Sequence, residues 1–162
     1  MDRSVTNMKK PIAASRTVQT RLVLPANTNH IGTIFGGNVL AYIDEVGAIA
    51  AMKHAESTVV TASIDSVNFV SSAKTGDVLN LEAIVTYTGT TSMEVYVRVS
   101  AQNLLENLEQ LTTESFLTMV AVDEEGHPKP VPKVYPETPE EIRLHETAPA
   151  RKKHRIRKAK LR

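Results

Sequence analysis

Asn38-Val39-Leu40-Ala41-Tyr42-Ile43-Asp44-Glu45-Val46-Gly47-Ala48-Ile49-Ala50-Ala51-Met52-Lys53 is the stretch on which the fold turns. Val39, Ile43, Val46, Gly47 and Ala50 fall at i, i+4, i+7, i+8 and i+11, the single apolar stripe of a helix. The spacing predicts one long helix over residues 38–53. Its small residues, Gly47, Ala48, Ala50 and Ala51, suit close packing against a sheet or another helix.

The chain downstream changes period. Leu79, Leu81, Ala83, Val85 and Tyr87 alternate with Asn80, Glu82, Ile84, Thr86 and Thr88. Met93, Val95, Val97, Val99 and Ala101 alternate in the same way with Glu94, Tyr96, Arg98, Ser100 and Gln102. Period two over about ten residues is the mark of a strand. Residues 111–122 carry a two-sided apolar set, as for a more central strand. Residues 58–69 form an earlier strand, whose apolar phase shifts between Ala62/Ile64 and Val67/Phe69 and so predicts a bulge. Thr75-Gly76-Asp77 and Thr88-Gly89-Thr90-Thr91 are short turns, which make the later strands an antiparallel meander.

Upstream, residues 16–24 read as a strand stopped by Pro25, and residues 26–37 as a loop rich in Asn, Thr and Gly. Residues 1–14 are polar and irregular, and a flexible arm is expected there. The prolines at 128, 130, 132 and 136 exclude a central strand. Thr138-Pro139-Glu140-Glu141 is a capping box that opens a short helix to about Glu146, within a segment 137–150. The fold class is α+β: five antiparallel strands, one long helix and a short C-terminal helix, with 15–136 as the single domain. One apolar helix covers one face of such a sheet, so the other face or an edge calls for a partner chain.

Composition narrows the function. Of 162 residues 41% are hydrophobic, enough for one core-bearing domain. With no cysteine, disulfides and cysteine–zinc sites are excluded. The longest apolar run, Val46 to Met52, falls far short of the roughly 20 residues of a spanning helix. No apolar leader follows Lys9-Lys10, so a cytoplasmic protein without membrane contact is expected. The net charge of +1 hides a split: residues 151–162 hold eight Lys/Arg and no acid. Such a block reads as a solvated, dispensable tail, and the mildly acidic remainder gives no reason to expect nucleic acid as a partner.

The chemistry gathers ahead of the long helix, in Asn29-His30-Ile31-Gly32-Thr33-Ile34-Phe35-Gly36-Gly37. Two glycines at a helix start bring bare N–H groups and the positive dipole end to a phosphate or an oxyanion, though a tight turn would use the same pair. Asp44 lies a turn and a half into the apolar helix. It is either a solvated carboxylate at the edge of the buried face or a cleft carboxylate acting as general base or nucleophile.

Asn29-x-x-Gly32-x-x-Phe35-Gly36-Gly37 with Asp44 seven residues on resembles the acyl-CoA thioester hydrolases of the hotdog superfamily. The similarity is greatest to the bacterial short- and medium-chain branch related to brain-type acyl-CoA hydrolase. It continues through residues 60–69, Thr75-Gly76-Asp77 and Gly89-Thr90-Thr91-Ser92-Met93, and covers about residues 16–135. The resemblance implies a sheet wrapped around the long helix. It also implies that Asp44 is the catalytic carboxylate, that Asn29 is its polar partner, and that N–H groups near Gly36 and Gly37 polarise the thioester carbonyl. Hydrolysis of an acyl-CoA to free acid and CoA would then need no metal or redox cofactor, coenzyme A entering only as part of the substrate.

Spacing adds a constraint. Gly37 and Asp44 are separated by roughly 10 Å along one helix, and both cannot lie about 3 Å from one carbonyl. Two antiparallel helices across a homodimer would bring the glycine N–H groups and Asn29 of one chain to Asp44 of the other. The resemblance implies that such dimers assemble further into hexamers, as trimers of dimers.

Weaker candidates for substrate contact are His30 beside the motif, Thr61 and Ser63 on a strand flanking the cleft, Asn68 within the similar stretch, and Ser92 at a turn. Arg98, Lys129 and Lys133 could meet CoA phosphates, and Phe69 is expected in the core. Two rivals share the fold: a non-catalytic acyl-CoA-binding regulator, which would lack the carboxylate, and a hotdog dehydratase, which would rest on His30.

Overall fold

The computed structural model describes residues 8–161. Strands β2 (Thr17–Leu22), β3 (Thr58–Phe69), β4 (Val78–Thr88), β5 (Ser92–Asn103) and β6 (Leu108–Val122) form one antiparallel sheet in the order β2-β4-β5-β6-β3. A short strand β1 (Lys9–Pro11) pairs in parallel with β7 (Lys133–Tyr135). Helix α1 runs Gly36–Ala55 and helix α2 runs Pro139–Lys160. No helix among the described residues is long and apolar enough to cross a membrane.

The apolar stripe does what its period requires. Val39, Ile43, Val46 and Ala50 are buried against Leu79, Leu81, Val95, Val97, Leu117 and Met119, and α1 touches all five strands of the sheet. Gly47 sets the depth of that contact: a Cβ there would sit 3.4 Å from the Met119 methyl and 3.7 Å from Leu117 and Val95. The alternation in β4 and β5 sends Leu79, Leu81, Val95 and Val97 inward. The predicted bulge in β3 is present, as two register slips against β6, between Thr61 and Ser63 and between Ile64 and Ser66.

Three expectations are corrected. Part of the supposed flexible arm is built into the fold: after β1 comes a 3-10 turn at Ile12–Ser15, with Ile12 fully buried. The Ser15 hydroxyl donates to the Ile12 carbonyl (2.7 Å) and accepts from the Val85 N–H (2.8 Å). The proline-bearing segment offers β1 a ladder that no local pattern announces; residues 1–7 of the arm lie outside the described part. The C-terminal helix does not stop near Glu146 but continues past Pro149 through the basic block. What carries it on is a buried acid: Glu94, 3% exposed on the outer face of β5, accepts from Arg151 Nη2 (2.8 Å) and Nε (3.0 Å) and from Arg155 Nη1 (3.2 Å). The outer face is therefore partly covered by the chain's own helix, and the two edge strands, β2 and β3, are each laddered on one side only. Phe69, finally, is not core; it is 55% exposed at the end of that edge strand, its ring leaning on Gly36.

Candidate active site

Asp44 and Thr61 meet. The Thr61 hydroxyl donates to the Asp44 carboxylate at 2.7 Å, and also lies 3.3 Å from the Met119 sulfur. Thr61 pairs in register with Met119 and so points to the α1 face of the sheet, just before the first bulge. Asp44 is half-buried, at the margin of the apolar stripe.

The loop before α1 is organised by Asn29. Its side-chain oxygen accepts from the N–H groups of Ile31 (3.0 Å) and Thr33 (3.2 Å), while its amide nitrogen donates to the Thr33 hydroxyl (2.9 Å). An amide nitrogen has two hydrogens, so one is left for a ligand. Gly32 turns the loop at φ +77°, a conformation glycine adopts without strain. At the helix start Phe35 supplies no side-chain cap, and the N–H groups of Gly36 and Gly37 find no backbone acceptor among the described residues. Gly37 is open to solvent, with nothing within 4 Å of where its Cβ would be. Bare donors at the positive end of a 20-residue helix suit an oxyanion.

Other candidates scatter. His30 is exposed on the loop. Ser63 donates to Asp65 (2.5 Å) on the side of the sheet that faces α2, away from Asp44. Asn68 pairs in register with Glu114, and Arg98 lies between Glu82 and Glu114, both on the outer face as well. Ser92 closes the β4–β5 turn beside Gly89, where a Cβ would come within 2.7 Å of the Ser92 hydroxyl oxygen. Lys133 donates to the Gly89 carbonyl (3.2 Å), and the Lys152 ammonium lies 3.9 Å from the same Cβ position. Sequence reading missed Lys152, because it comes from the block taken for a loose tail. The direct Thr61–Asp44 bond was missed too, since only the twist of α1 across β3 creates it.

Three titrating groups are perturbed, all away from this site: backbone N–H groups, that of His127 first, hold the Asp123 carboxyl low. Burial holds His54 below the usual histidine range, the Nε2 donor to Pro132 (2.8 Å) opposing that only in part. Burial and the Glu114 carboxylate push the Tyr96 phenol well up. No group of three or more His, Asp or Glu side chains able to hold a metal ion occurs among the described residues.

An antiparallel sheet bearing on a single helix, with the helix's carboxylate turned toward a free sheet edge, is the architecture of the hotdog folds. Comparison with known proteins agrees. A family model described as the thioesterase superfamily matches residues 31–106. An acyl-CoA thioester hydrolase of Bacillus subtilis, itself described as uncharacterized, is 46% identical over 141 residues, 87% of this chain and 82% of that protein. The crystal structure of an apo-hexameric acyl-CoA thioesterase superposes with a TM-score of 0.95 at 68% identity, over 96% of this chain and 99% of the other. An acyl-CoA hydrolase of Staphylococcus aureus in complex with butyryl coenzyme A and coenzyme A gives 0.89 at 47%, over 93% and 92%. Further structures of that enzyme carry alanine in place of an asparagine, an aspartate and a threonine. The chain belongs to the thioesterase superfamily, among its acyl-CoA thioester hydrolases.

Proposed function

We propose that this protein hydrolyses acyl-CoA thioesters to the free acid and CoA in sites shared between the two chains of a homodimer. The observation that carries the reading is the Thr61–Asp44 hydrogen bond, which fixes a half-buried carboxylate beside an open strand edge. The S. aureus enzyme has been altered at an asparagine, an aspartate and a threonine, in that chain order. Asn29, Asp44 and Thr61 are the same three residue types in the same order.

Asp44 acts in one of two ways. As general base it takes a proton from water while the oxygen attacks the thioester carbonyl; as nucleophile it attacks directly and forms a mixed anhydride that water then opens. In both, the carbonyl oxygen becomes an oxyanion that accepts from Gly36 and Gly37 N–H groups. The C–S bond then breaks, and CoA leaves as a thiolate that takes up a proton. The spare amide N–H of Asn29 orients the water or the acyl carbonyl.

The donors and the carboxylate lie on one helix, roughly 10 Å apart, so the donors come from the partner. Val60, Ile64 and Phe69, all exposed on β3, supply the apolar surface for that pairing, and trimers of such dimers would give a hexamer. Lys133 and Lys152 beside Ser92 form the cationic turn that meets the CoA phosphates; Arg98, on the outer face, is less suited to it. A thiol-release assay over acyl-CoAs of increasing chain length tests the proposal. Release is expected, whereas tight CoA binding without release at any length would mark a regulator.

A further inference from the structure

Thr61 is carried by an edge strand whose ladder is twice interrupted. This strand, β3, is laddered to β6 alone, and its register slips twice between Thr61 and Ser66. The residues left without a partner are Ala62 and Asp65. A bulge interrupts the ladder and bends the strand, so something besides the ladder must hold this stretch.

The second bulge is held from the outer face. The Asp65 carboxylate accepts from Ser63 (2.5 Å) and Thr118 (2.7 Å) and lies 3.5 Å from Arg155 Nε. Arg155 is itself fixed, its Nη1 bonded to the Glu94 carboxylate that Arg151 also grips. Side-chain exposure is 10% for Asp65 and 1% for Glu94, so solvent hardly weakens these bonds. A continuous path thus runs from α2 through Arg155, Asp65 and the bulged stretch of β3 to Thr61, and from there to Asp44 on the opposite face of the sheet.

We propose that Arg155 and Asp65 are positioning residues for hydrolysis: they pin the bulges of β3 and so set where the Thr61 hydroxyl meets Asp44. This rests on the reading of Asp44 as the reacting carboxylate. Misplacing a catalytic group by about 1 Å can cost on the order of a hundredfold in rate; a shift of Thr61, one step removed, should cost about tenfold.

The test measures kcat and KM for butyryl-CoA, with thermal melting, in Arg155→Ala, Arg155→Lys, Asp65→Asn, Thr61→Val and the Arg155→Ala/Thr61→Val double variant. Arg157→Ala, an exposed position on the same helix, is the control. Arg155→Ala and Asp65→Asn should lower kcat about tenfold and leave KM nearly unchanged, and Arg155→Lys should recover most of the loss. The double variant should be no slower than Thr61→Val, because Arg155 acts only through Thr61. Losses that multiply, a loss matched by Arg157→Ala, or a kcat that merely follows the folded fraction would overturn the proposal. Should Arg155→Ala fail to fold, Asp65→Asn, which keeps the side-chain shape, carries the same prediction. An active Asp44→Ala protein would instead remove the catalytic reading, whatever Arg155 does.

Discussion

Helix α1 meets the inner face of the sheet with Val39, Ile43, Val46 and Ala50, whereas α2 meets the outer face with Arg151 and Arg155 on Glu94 and with His145 on the Thr86 carbonyl. Besides Glu141, α2 buries only Leu144 and Ala148. The inner contact is spread over many weak dispersion contacts and tolerates volume-conserving exchange. The outer contact is concentrated in one carboxylate, and taking away either arginine leaves Glu94 short of countercharge at 1% side-chain exposure. A face held by packing can be read from periodicity; a face held by one buried charge can be read only once its partners are known.

The most drastic break comes from Asp44, the carboxylate that meets Thr61 on the inner side. Asp44→Ala should lower turnover by a factor of about 10²–10⁴, the usual worth of a positioned acid–base group. Its melting should stay near that of the parent, because Asp44 contributes nothing to the buried stripe. An Asp44→Ala protein that is folded and fully active would refute the mechanism.

Mixing asks whether that acid works across chains. Asn29→Ala and Asp44→Ala proteins should each be nearly inactive. After subunit exchange, a mixed dimer carries both lesions in one composite site and leaves the other site intact. Random exchange makes about half the dimers mixed, so roughly a quarter of parental activity should return. Verified exchange with no recovered activity would place both residues in one chain's site.

Stability separates the two helices next. Ile43→Ala cuts a cavity under α1 and should cost about 2–5 kcal/mol by urea unfolding. Arg151→Ala leaves Glu94 with Arg155 and the Thr86 hydroxyl (2.7 Å), so about 2–3 kcal/mol is expected, below the full cost of an abandoned buried charge. Deleting residues 151–162 removes both arginines and should cost at least as much. A truncated protein as stable as the parent would return the block to the standing of a solvated tail.

How far the sequence was legible follows the same division. The stripe of α1, the alternation of β4 and β5 and the phase shift in β3 are local patterns that tertiary packing reinforced. The Asn29–Gly37 motif and Asp44 stood out by special backbone and apolar context, but that context also fits a tight turn and a solvated carboxylate, and it was the resemblance that singled them out as a site. Arg151, Arg155 and Lys152 were not legible: eight cations within twelve residues look the same whether or not a carboxylate 57 residues earlier receives one. β1 escaped because its partner, β7, lies 124 residues away across the register Lys9↔Lys133. Phe69 was misplaced because alternation assigns faces but does not show where a sheet ends.

The smallest effect concerns His54, the only polar side chain that α1 buries. Its Nε2–H donates to the Pro132 carbonyl at 2.8 Å while Nδ1 has no partner, which fits a neutral ring. The Lys10 ammonium, bonded to the His54 carbonyl (3.0 Å), adds a smaller push against protonation. The folded protein thus resists a proton that the unfolded chain accepts near pH 6.5. Below that pH the unfolded state binds more protons, so stability falls as pH drops, by at most about 1.4 kcal/mol per pH unit for one group. His54→Gln keeps a donor for Pro132 but does not titrate. It should cost about 1–2 kcal/mol at pH 7.5 for imperfect fit, and its urea midpoint should decline less than the parent's between pH 7.5 and 5.5. The other histidines are common to both proteins and cancel in the difference. Equal declines would show that His54 takes up its proton without opening the end of α1.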